Sequence, residues 1–591
     1  MAVGAGFRVL LAQRRREWST GGMTHDLVIR AGTVIDGTGT TERVADVGIS
    51  GDRIAEIAEP ATLRGLRTID ADGLVVTPGF VDIHTHYDAQ IGWDPLVSSS
   101  CWHGVTSIVM GNCGMTFAPC RPDDRAYLAD CMESVEDIPA RSILDGLAWD
   151  WQTYGEYLGS LDRHDKGINV GGMVGHSALR FWAMGDRSLD GDETPTDDEL
   201  AEMAGLVEEA MEAGALGFST SRTLRHFAPD GRNVPGTFAD TRELGALVDV
   251  LSRQGRGVVE CAPRFDGDGP SEPRARSELA WMAELAARSG RPFSFNLTHT
   301  WANPEHHRLV LSLVHAARAD GAALSPQTTS RGIGVLFSLD SSTPFDRHPS
   351  WQRLRDLDPA GRRAALGDPV VRAELVADAA TEPTADQLGE FYVTGVDEPH
   401  VRYDCDPATE LPTAARAAGI PMAEYYIDCL LASDGNATVY WPILNPNLDA
   451  VAEMLLDDAI ILGLADGGAH VGQILDASQP TWFLSYWVRE RSLMSRARGV
   501  RRLTADGARL FGLEGRGVIE PGAYADVNVI DWDALALPRP TFAHDFPLGA
   551  GRFTQRGEGY VATVVNGQVL MEDGEHSGAL PGAVLRPERE L

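Results

Sequence analysis

The chain has 591 residues, of which 43% are hydrophobic and 23% charged, an ordinary composition for a globular protein with a large core and a second, smaller domain. It carries 51 basic against 85 acidic residues, a formal charge of -34. This acidity argues against nucleic acid and against an anionic membrane surface as partners, so we expect a small-molecule partner.

The N-terminal segment and the cysteines bear on location. Residues 1–22 include Arg14-Arg15-Arg16 but form no secretory signal, and we expect a disordered or upstream extension there. Seven cysteines without regular spacing predict free or metal-bound thiols in a reducing compartment, hence a cytoplasmic protein. No apolar run approaches the roughly 18 residues of a membrane-spanning helix. A homo-oligomer is left open.

Short β-rich runs occupy both ends of the chain. In residues 23–75 they alternate with turns, and similar runs return in residues 501–591, among them Ala525–Asp531 and Val561–Gly567. The economical arrangement is one small β-sandwich domain built from both termini, followed by a C-terminal tail.

In residues 76–500, apolar strand-like runs alternate with helical stretches such as Asp197–Ala213 and Glu278–Ser289. Eight runs are predicted strands: Phe80–Ile83, Ser107–Met110, Ile168–Val174, Ala215–Phe218, Gly257–Cys261, Phe293–Leu297, Ala322–Pro326 and Ile460–Ala465. Eight such units predict an α/β fold, a TIM-type (β/α)8 barrel, whose chemistry lies at the carboxyl ends of the strands. The interval of about 330–459 is too long for an ordinary connection and predicts an inserted lid or side domain.

The first of these strands closes on His84 and His86. Alternate strand residues point to the same face, so the two imidazoles can bind one ion together. A single histidine is more often an ordinary core or surface residue, but two in register at a strand end favour a metal site.

Further ligand-type residues follow other strands: Cys113 after the second, His176 after the third, Glu260 within the fifth, His299 after the sixth and Asp466 after the eighth. Because these ends meet at one mouth of the barrel, we expect the residues to converge. Alone, Cys113 is a metal thiolate, a nucleophile or an inert thiol, and Asp466 is a turn residue. Convergence favours the metal thiolate.

Lys166 is the only lysine, and it precedes the third strand, at the opposite end of the barrel. A lysine carbamate bridging two metal ions is therefore disfavoured. If two ions are bound, a thiolate or a carboxylate must bridge them.

The sequence resembles the amidohydrolase superfamily, specifically its N-acyl-D-amino-acid deacylase (D-aminoacylase) branch, over about residues 26–586. The motifs that carry the resemblance are Pro78–His86, Gly111–Gly114, Gly175-His176 and Asp466–His470. It implies one or two zinc ions, with His84 and His86 on one, Cys113 and His299 on the other or shared, and Asp466 as catalytic acid/base and ligand.

The chain departs from that branch in three places. At the fifth strand the branch has a histidine, and here Glu260 either replaces it as a carboxylate ligand or forms an ion pair near Arg264. A lysine expected after the sixth-strand histidine is replaced by Trp301, which suggests an apolar or aromatic contact. An arginine expected after the eighth-strand aspartate is also missing. The candidates left for a substrate carboxylate, or for ordinary structural roles, are Arg222, Arg225 and Arg264.

The predicted function is hydrolysis of an amide-type C–N bond, most simply in an N-acyl (D-)amino acid or related small amide, by zinc-activated water. Asp466 would move the proton, and His176 would polarise the carbonyl or be structural. The open alternatives are hydrolysis of a cyclic amide, carbamate or lactone, a hydrolase with Cys113 as nucleophile, a lyase or isomerase, and a non-catalytic scaffold.

Overall fold

The computed structural model describes residues 24–40, 42–267, 270–380, 390–396 and 399–587. The extension expected over residues 1–22 lies outside the described residues. The strands are β1 (Thr24–Ile35), β2 (Glu42–Ser50), β3 (Arg53–Ala58), β4 (Arg64–Asp70), β5 (Val75–Pro78), β6 (Phe80–Asp82), β7 (Val105–Met110), β8 (Asn169–Gly175), β9 (Gly217–Ser221), β10 (Val258–Ala262), β11 (Phe293–Asn296), β12 (Leu324–Thr328), β13 (Ile333–Phe337), β14 (Tyr392–Thr394), β15 (Thr438–Leu444), β16 (Ile461–Leu462), β17 (Val527–Ile530), β18 (Thr541–Ala543), β19 (Arg552–Thr554), β20 (Tyr560–Val565), β21 (Gln568–Glu572) and β22 (Glu575–His576).

The helices are α1 (Arg125–Glu136), α2 (Ala140–Gly146), α3 (Tyr154–Arg163), α4 (His176–Met184), α5 (Asp197–Ala213), α6 (Thr241–Gln254), α7 (Ser271–Ser289), α8 (His306–Ala319), α9 (Pro349–Arg355), α10 (Pro359–Gly367), α11 (Pro369–Ala379), α12 (Leu411–Ala418), α13 (Met422–Ala432), α14 (Leu448–Leu456), α15 (Gln479–Trp482), α16 (Arg496–Leu503) and α17 (Ala505–Leu510). A π-helical stretch, Phe483–Glu490, continues α15.

Eight parallel strands form the barrel sheet in the order β6, β7, β8, β9, β10, β11, β12, β16, the order in which the sequence predicts them. Strands β6 to β10 are buried along their whole length, because helices cover the outer face of a parallel sheet. The ring closes just beyond β6 and β16, where Thr85 and Gly467 form a parallel bridge and the His86 amide donates to the Gly467 carbonyl at 2.8 Å. The predicted barrel is therefore confirmed.

The predicted bounds agree with the structure for one of the two predicted barrel helices and differ for the other. Helix α5 has the predicted bounds, because Thr196 and Glu199 form a reciprocal capping box at its start. Helix α7 begins at Ser271, well before the predicted Glu278, since proline at position 273 is tolerated in a first turn that has no hydrogen bond to lose.

The β domain is a nine-stranded sheet in which β5 pairs with both β1 and β17, joining the two ends of the chain. Strand β1 belongs to both layers of this domain, because its first half pairs with β4 and its second half with β5. Its register with β2 shifts between Ile29 and Gly32. Side chains from both layers enclose one apolar core, including Ile29, Val47, Val529 and Val564. The β domain from both termini is also confirmed.

Between β12 and β16, the chain adds a three-stranded antiparallel sheet, β13–β15–β14, and the helices α9 to α13. This inserted segment has its own apolar core around the fully buried Trp351. We propose the domain boundaries that the sequence suggests, with the inserted segment as a unit on the barrel.

All seven cysteines are free thiols. Across the described ranges, no helix has the length and apolarity that a membrane crossing requires.

The β1 irregularity depends on one buried carboxylate. Asp46 accepts backbone N–H donors from Ala31, Ala61, Thr62 and Leu63 at 2.8–2.9 Å. Burial alone would raise its pKa, but these four donors lower the pKa below the ordinary 3.8.

We expect Asp46→Asn to lower the free energy of unfolding by about 2–4 kcal/mol, because charge-assisted bonds are lost and buried donors lose a partner. The exposed Asp72→Asn is the matched control. Since the folded pKa is depressed, the contribution of Asp46 is complete above pH 3.8 and is lost as the pH falls through the folded pKa. Urea unfolding at pH 7 and pH 3 measures both effects, and equal stability of Asp46→Asn and wild type at pH 7 would contradict this account.

Candidate metal centre

Two histidines extend from the end of the first barrel strand into the barrel. Ile83 follows β6 and is fully buried, and His84 and His86 lie on either side of Thr85. The Thr85 backbone N–H and side-chain hydroxyl both donate to the Val109 carbonyl, at 3.1 and 2.9 Å. The segment is thus fixed against β7, and both imidazoles are almost completely buried.

Cys113 lies in the turn after β7, in the left-handed backbone region with φ 54°. Its N–H donates to Glu260 Oε2 at 2.8 Å. This hydrogen bond helps to offset the energetic cost of the left-handed conformation. The turn brings Cys113 Sγ to 3.5 Å from His84 Nε2. The second and fifth strands therefore supply a thiol and a carboxylate to the same point.

Asp466 comes from the other side of the barrel closure. It has φ 45°, and its Oδ1 lies 3.1 Å from His84 Nε2 and 3.9 Å from His86 Nε2. Gly468, at φ 90°, packs against the His86 backbone, where a Cβ atom would approach to 2.9 Å. The tight loop therefore requires glycine and fixes the carboxylate beside both histidines.

The residues fit a metal ion. One ligand atom each from His84, His86 and Cys113 lies within 4.8 Å of the others, a nitrogen and sulfur donor set suited to zinc. Glu260 Oε1 and Asn296 Oδ1 are buried without a hydrogen-bond partner, and Asn296 Nδ2 is 3.9 Å from Cys113 Sγ. Buried polar atoms without partners are rare in proteins, and a cation among them would satisfy these.

The electrostatics of the centre also fit a cation. Burial raises the pKa of Glu260 to about 7 and that of Glu136 to about 8. Burial alone would lower the pKa of His84, but the hydrogen bond and charge of Asp466 raise it to about 9. Burial would likewise raise the pKa of Asp466, and His84 lowers it overall. The metal-free centre thus pairs an aspartate with a protonated histidine, where a metal ion would replace the proton.

A hydrogen bond from outside the centre holds the His84 ring, and a carboxylate faces the His86 ring. His84 Nδ1 lies 3.2 Å from Gln327 Oε1, and Gln327 Nε2 donates to Ser294 Oγ at 2.7 Å, so the ring presents Nε2 to the centre. His86 Nδ1 faces Glu136 Oε1 at 3.6 Å, and the other oxygen of Glu136 lies 3.6 Å from His470 Nε2. Glu136 is therefore placed to orient His86.

The centre opens into a cavity of about 830 Å³ at the carboxyl ends of the strands. His86, Cys113 and Asp466 lie at its base, and His226 and Trp301 are part of its lining. Trp301 is 52% exposed, although its ring contacts His299 with centroids 5.1 Å apart. The arrangement gives a small molecule access to a buried group of potential ligands.

Two predicted site residues are placed elsewhere. Thr298 and Thr300 line the cavity, but His299 between them, beyond the end of β11, packs against His307 with the ring centroids 5.7 Å apart. The structure does not bring His299 into the group of ligands. The ring of His176 is engaged at both nitrogens, 2.9 Å from Thr220 Oγ1 and 3.0 Å from Glu243 Oε1, and lies outside the cavity.

Of the three candidate arginines, one lines the cavity and two do not. Arg222 donates to Glu278 Oε1 at 2.7 Å, and Arg264 donates to the Arg222 and Thr237 carbonyls. Neither lines the cavity. Arg225 does line it, with its guanidinium 3.9 Å from Asp266 Oδ2 and its side chain 66% exposed.

The structure adds site residues that sequence analysis missed. Gln327 directly follows Pro326, the predicted end of the seventh strand. If that strand end had been predicted one residue later, Gln327 would have been recognised as a candidate site residue. His226 lies five residues beyond β9, beside the arginines already considered. No sequence signal marks Glu136, which ends helix α1.

Residues 67–571 match the model of the amidohydrolase family. An N-acyl-D-glutamate deacylase of Alcaligenes xylosoxydans xylosoxydans is 28% identical over 573 residues, covering 94% of this chain and 98% of that protein. The D-aminoacylase of the same organism is 26% identical over 563 residues, covering 95% and 97%.

Among solved structures, the N-acyl-D-glutamate deacylase of Bordetella bronchiseptica, complexed with zinc and a phosphonate inhibitor, superimposes with a TM-score of 0.64. It is 26% identical, and the match covers 95% of this chain and all of that one, 100%.

We expect zinc binding to release protons, because the pKa of His84 is raised to about 9 and burial raises that of Cys113 well above its ordinary value. At pH 7.5, Cys113→Ser should release about one proton fewer than wild type. Zinc affinity should rise with pH through about 9, the pKa of His84, and continue to rise beyond it because the Cys113 thiol has a still higher pKa. Titration calorimetry in buffers of different ionisation enthalpy counts the protons, and the same count in both proteins would exclude Cys113 as a thiolate ligand.

Glu136→Gln should weaken zinc binding roughly 10- to 100-fold, the usual effect of losing a carboxylate that orients a histidine ligand. The matched control is Glu133→Gln, an exposed residue on the same helix. Competition with a chromogenic chelator measures the affinities, and unchanged affinity in Glu136→Gln would show that Glu136 does not position His86.

Proposed function

Because the chain belongs to the amidohydrolase family, we propose that it is a zinc-dependent hydrolase that cleaves the amide bond of an N-acyl-D-amino acid. The single observation that carries this proposal is the buried group of His84, His86 and Cys113, with Asp466 beside it, at the base of a substrate-sized cavity. The deacylases that match over nearly their whole length support the substrate class.

In this proposal His84, His86 and Cys113 hold the metal, with Glu260 next to them. A bound zinc ion would supply water with a pKa near 7 and a Lewis acid for the carbonyl. Since the pKa of Glu260 is close to neutral in the metal-free centre, a nearby cation would keep its carboxylate ionised.

Asp466 is the general base and acid. Its carboxylate stays ionised because His84 lowers its pKa, and its side chain remains 15% exposed towards the cavity. It orients the attacking water, takes a proton on a carboxylate oxygen and returns it to the leaving nitrogen. Such help typically contributes about 10²- to 10⁴-fold.

His226 takes the role that the sequence suggested for His176. Burial lowers the pKa of His226 to about 4, so the ring is neutral at pH 7. Ser221 Oγ lies 2.9 Å from its Nδ1, and when this hydroxyl donates, the other ring nitrogen carries a proton. That N–H can donate to the substrate carbonyl oxygen within the cavity.

Arg225 is the proposed partner of the substrate carboxylate, since it is the arginine among the three candidates that reaches the cavity. A role for Cys113 as nucleophile is disfavoured, because burial raises its pKa and thiols react as thiolates. Lys166 donates to the His164 carbonyl at 2.6 Å, away from the centre, and supplies no bridging carbamate.

We also propose that the protein acts in the cytoplasm on a small amide, without a nucleic-acid or membrane partner, as its free thiols and acidic surface suggest. A homo-oligomer is compatible with this function and is not required by it.

The test combines metal analysis with a panel of N-acetyl-D- and N-acetyl-L-amino acids. Wild type should contain zinc, lose activity to a chelator and regain it with zinc. Asp466→Asn should lower kcat by about 10²- to 10⁴-fold while the protein keeps its fold. The control Asp458→Asn, an exposed residue at the other end of the barrel, should keep wild-type activity. Chelator-resistant activity that alkylation of Cys113 abolishes would overturn the metal mechanism in favour of a cysteine nucleophile.

A further inference from the structure

We propose that the substrate's acyl group is a long aliphatic or aromatic group, bound on an apolar wall that the inserted segment and the loop after β16 form along the cavity. This inference rests on the proposed deacylase function and names its substrate class more narrowly. The apolar wall consists of Ile333, Val335, Ile443, Leu444, Leu464 and Ile474.

Four of the six residues of the apolar wall form a cluster separate from the main cores. Ile333, Leu464 and Ile474 pack together with Leu444 against them, and all four line the cavity. Leu464 is two residues before Asp466. The apolar wall and the proposed catalytic carboxylate therefore line the same cavity.

The apolar wall also includes a large side chain that is partly exposed to solvent. Ile443, near the end of β15, is 38% exposed and borders the cavity. Pro446, a short distance further along, lines the cavity as well. An exposed isoleucine beside a packed apolar cluster in a concave site is what a hydrophobic ligand group would cover.

The cationic side of the cavity lies across the barrel. Arg225 follows β9, the fourth barrel strand, and Arg274 lies on α7 after the fifth. The apolar wall follows β12 and β16, the seventh and eighth strands. In a closed ring of eight strands, the fourth and eighth are opposite each other. A carboxylate near Arg225 therefore directs the other end of the amide towards the apolar wall.

The size of the cavity supports a large acyl group. Its volume of about 830 Å³ is in the upper part of the roughly 300–1,000 Å³ range of pockets for drug-sized ligands. An N-acetyl amino acid is much smaller than such a ligand and would leave the apolar wall uncovered. Each methylene buried there should improve binding roughly fourfold.

The experiment compares N-acyl-D-leucines that carry acetyl, butanoyl, hexanoyl, octanoyl and phenylacetyl groups, using the zinc-loaded enzyme. We expect kcat/KM to rise at least about 30-fold from acetyl to octanoyl. Ile443→Asn should lower kcat/KM for the octanoyl substrate about tenfold and for the acetyl substrate less than about twofold. Leu431→Asn is the matched control, since Leu431 is exposed on α13 of the same inserted segment but outside the cavity lining.

The possible results separate the inference from the function it rests on. Hydrolysis of all acyl groups at similar rates, or preference for acetyl, would overturn the inference and leave the deacylase function standing. The inference also fails if Ile443→Asn discriminates between N-acetyl-D-leucine and N-acetyl-D-alanine, because the apolar wall would then bind the amino-acid side chain. If the zinc-loaded enzyme hydrolyses neither the acyl series nor any member of the panel of N-acetyl-D- and N-acetyl-L-amino acids, both the inference and the proposed function fail.

Discussion

The contact on which the site depends is the closure of the barrel between its first and last strands. One parallel bridge, Thr85 to Gly467, and one hydrogen bond, from His86 N–H to the Gly467 carbonyl, join the ends of β6 and β16. They place Asp466 beside His84, although most of the chain separates the two in sequence. An eight-stranded ring offers this geometry because every carboxyl end faces the same mouth.

The second constraint is charge. The centre combines Glu260, Glu136 and Asp466 with two histidines in a buried environment, and in the described part of its lining no lysine is present. Buried acids that are not balanced by cations are costly, and proteins avoid that cost by protonation or by binding a metal ion. Burial raises the pKa of Glu136 to about 8, and the charge and hydrogen bond of Asp466 raise that of His84 to about 9 against the effect of burial, so this group of side chains favours a bound cation or proton. The buried acids of the centre therefore favour the binding of a cation.

The sequence predicted the barrel and the inner site residues better than their surroundings. Strand runs are local patterns, so the eight strands, the histidine pair and the turn with Cys113 could be recognised without knowing any tertiary contact. Side-chain direction at a strand end depends on where the regular alternation stops, which is why His299 turns outward against expectation. Contacts such as Glu136 with His86 depend on a helix packing over the barrel mouth, and no local pattern encodes them.

The sheet shared by both ends of the chain has a consequence for biosynthesis. Strand β5 ends at Pro78, and its neighbour β17 begins only at Val527. At roughly 5–20 residues per second, a ribosome needs on the order of a minute to make the intervening chain. Throughout that time the nascent β5 has an open edge, the feature that promotes wrong pairing between chains. The terminal sheet is thus completed last, after the whole barrel has been translated.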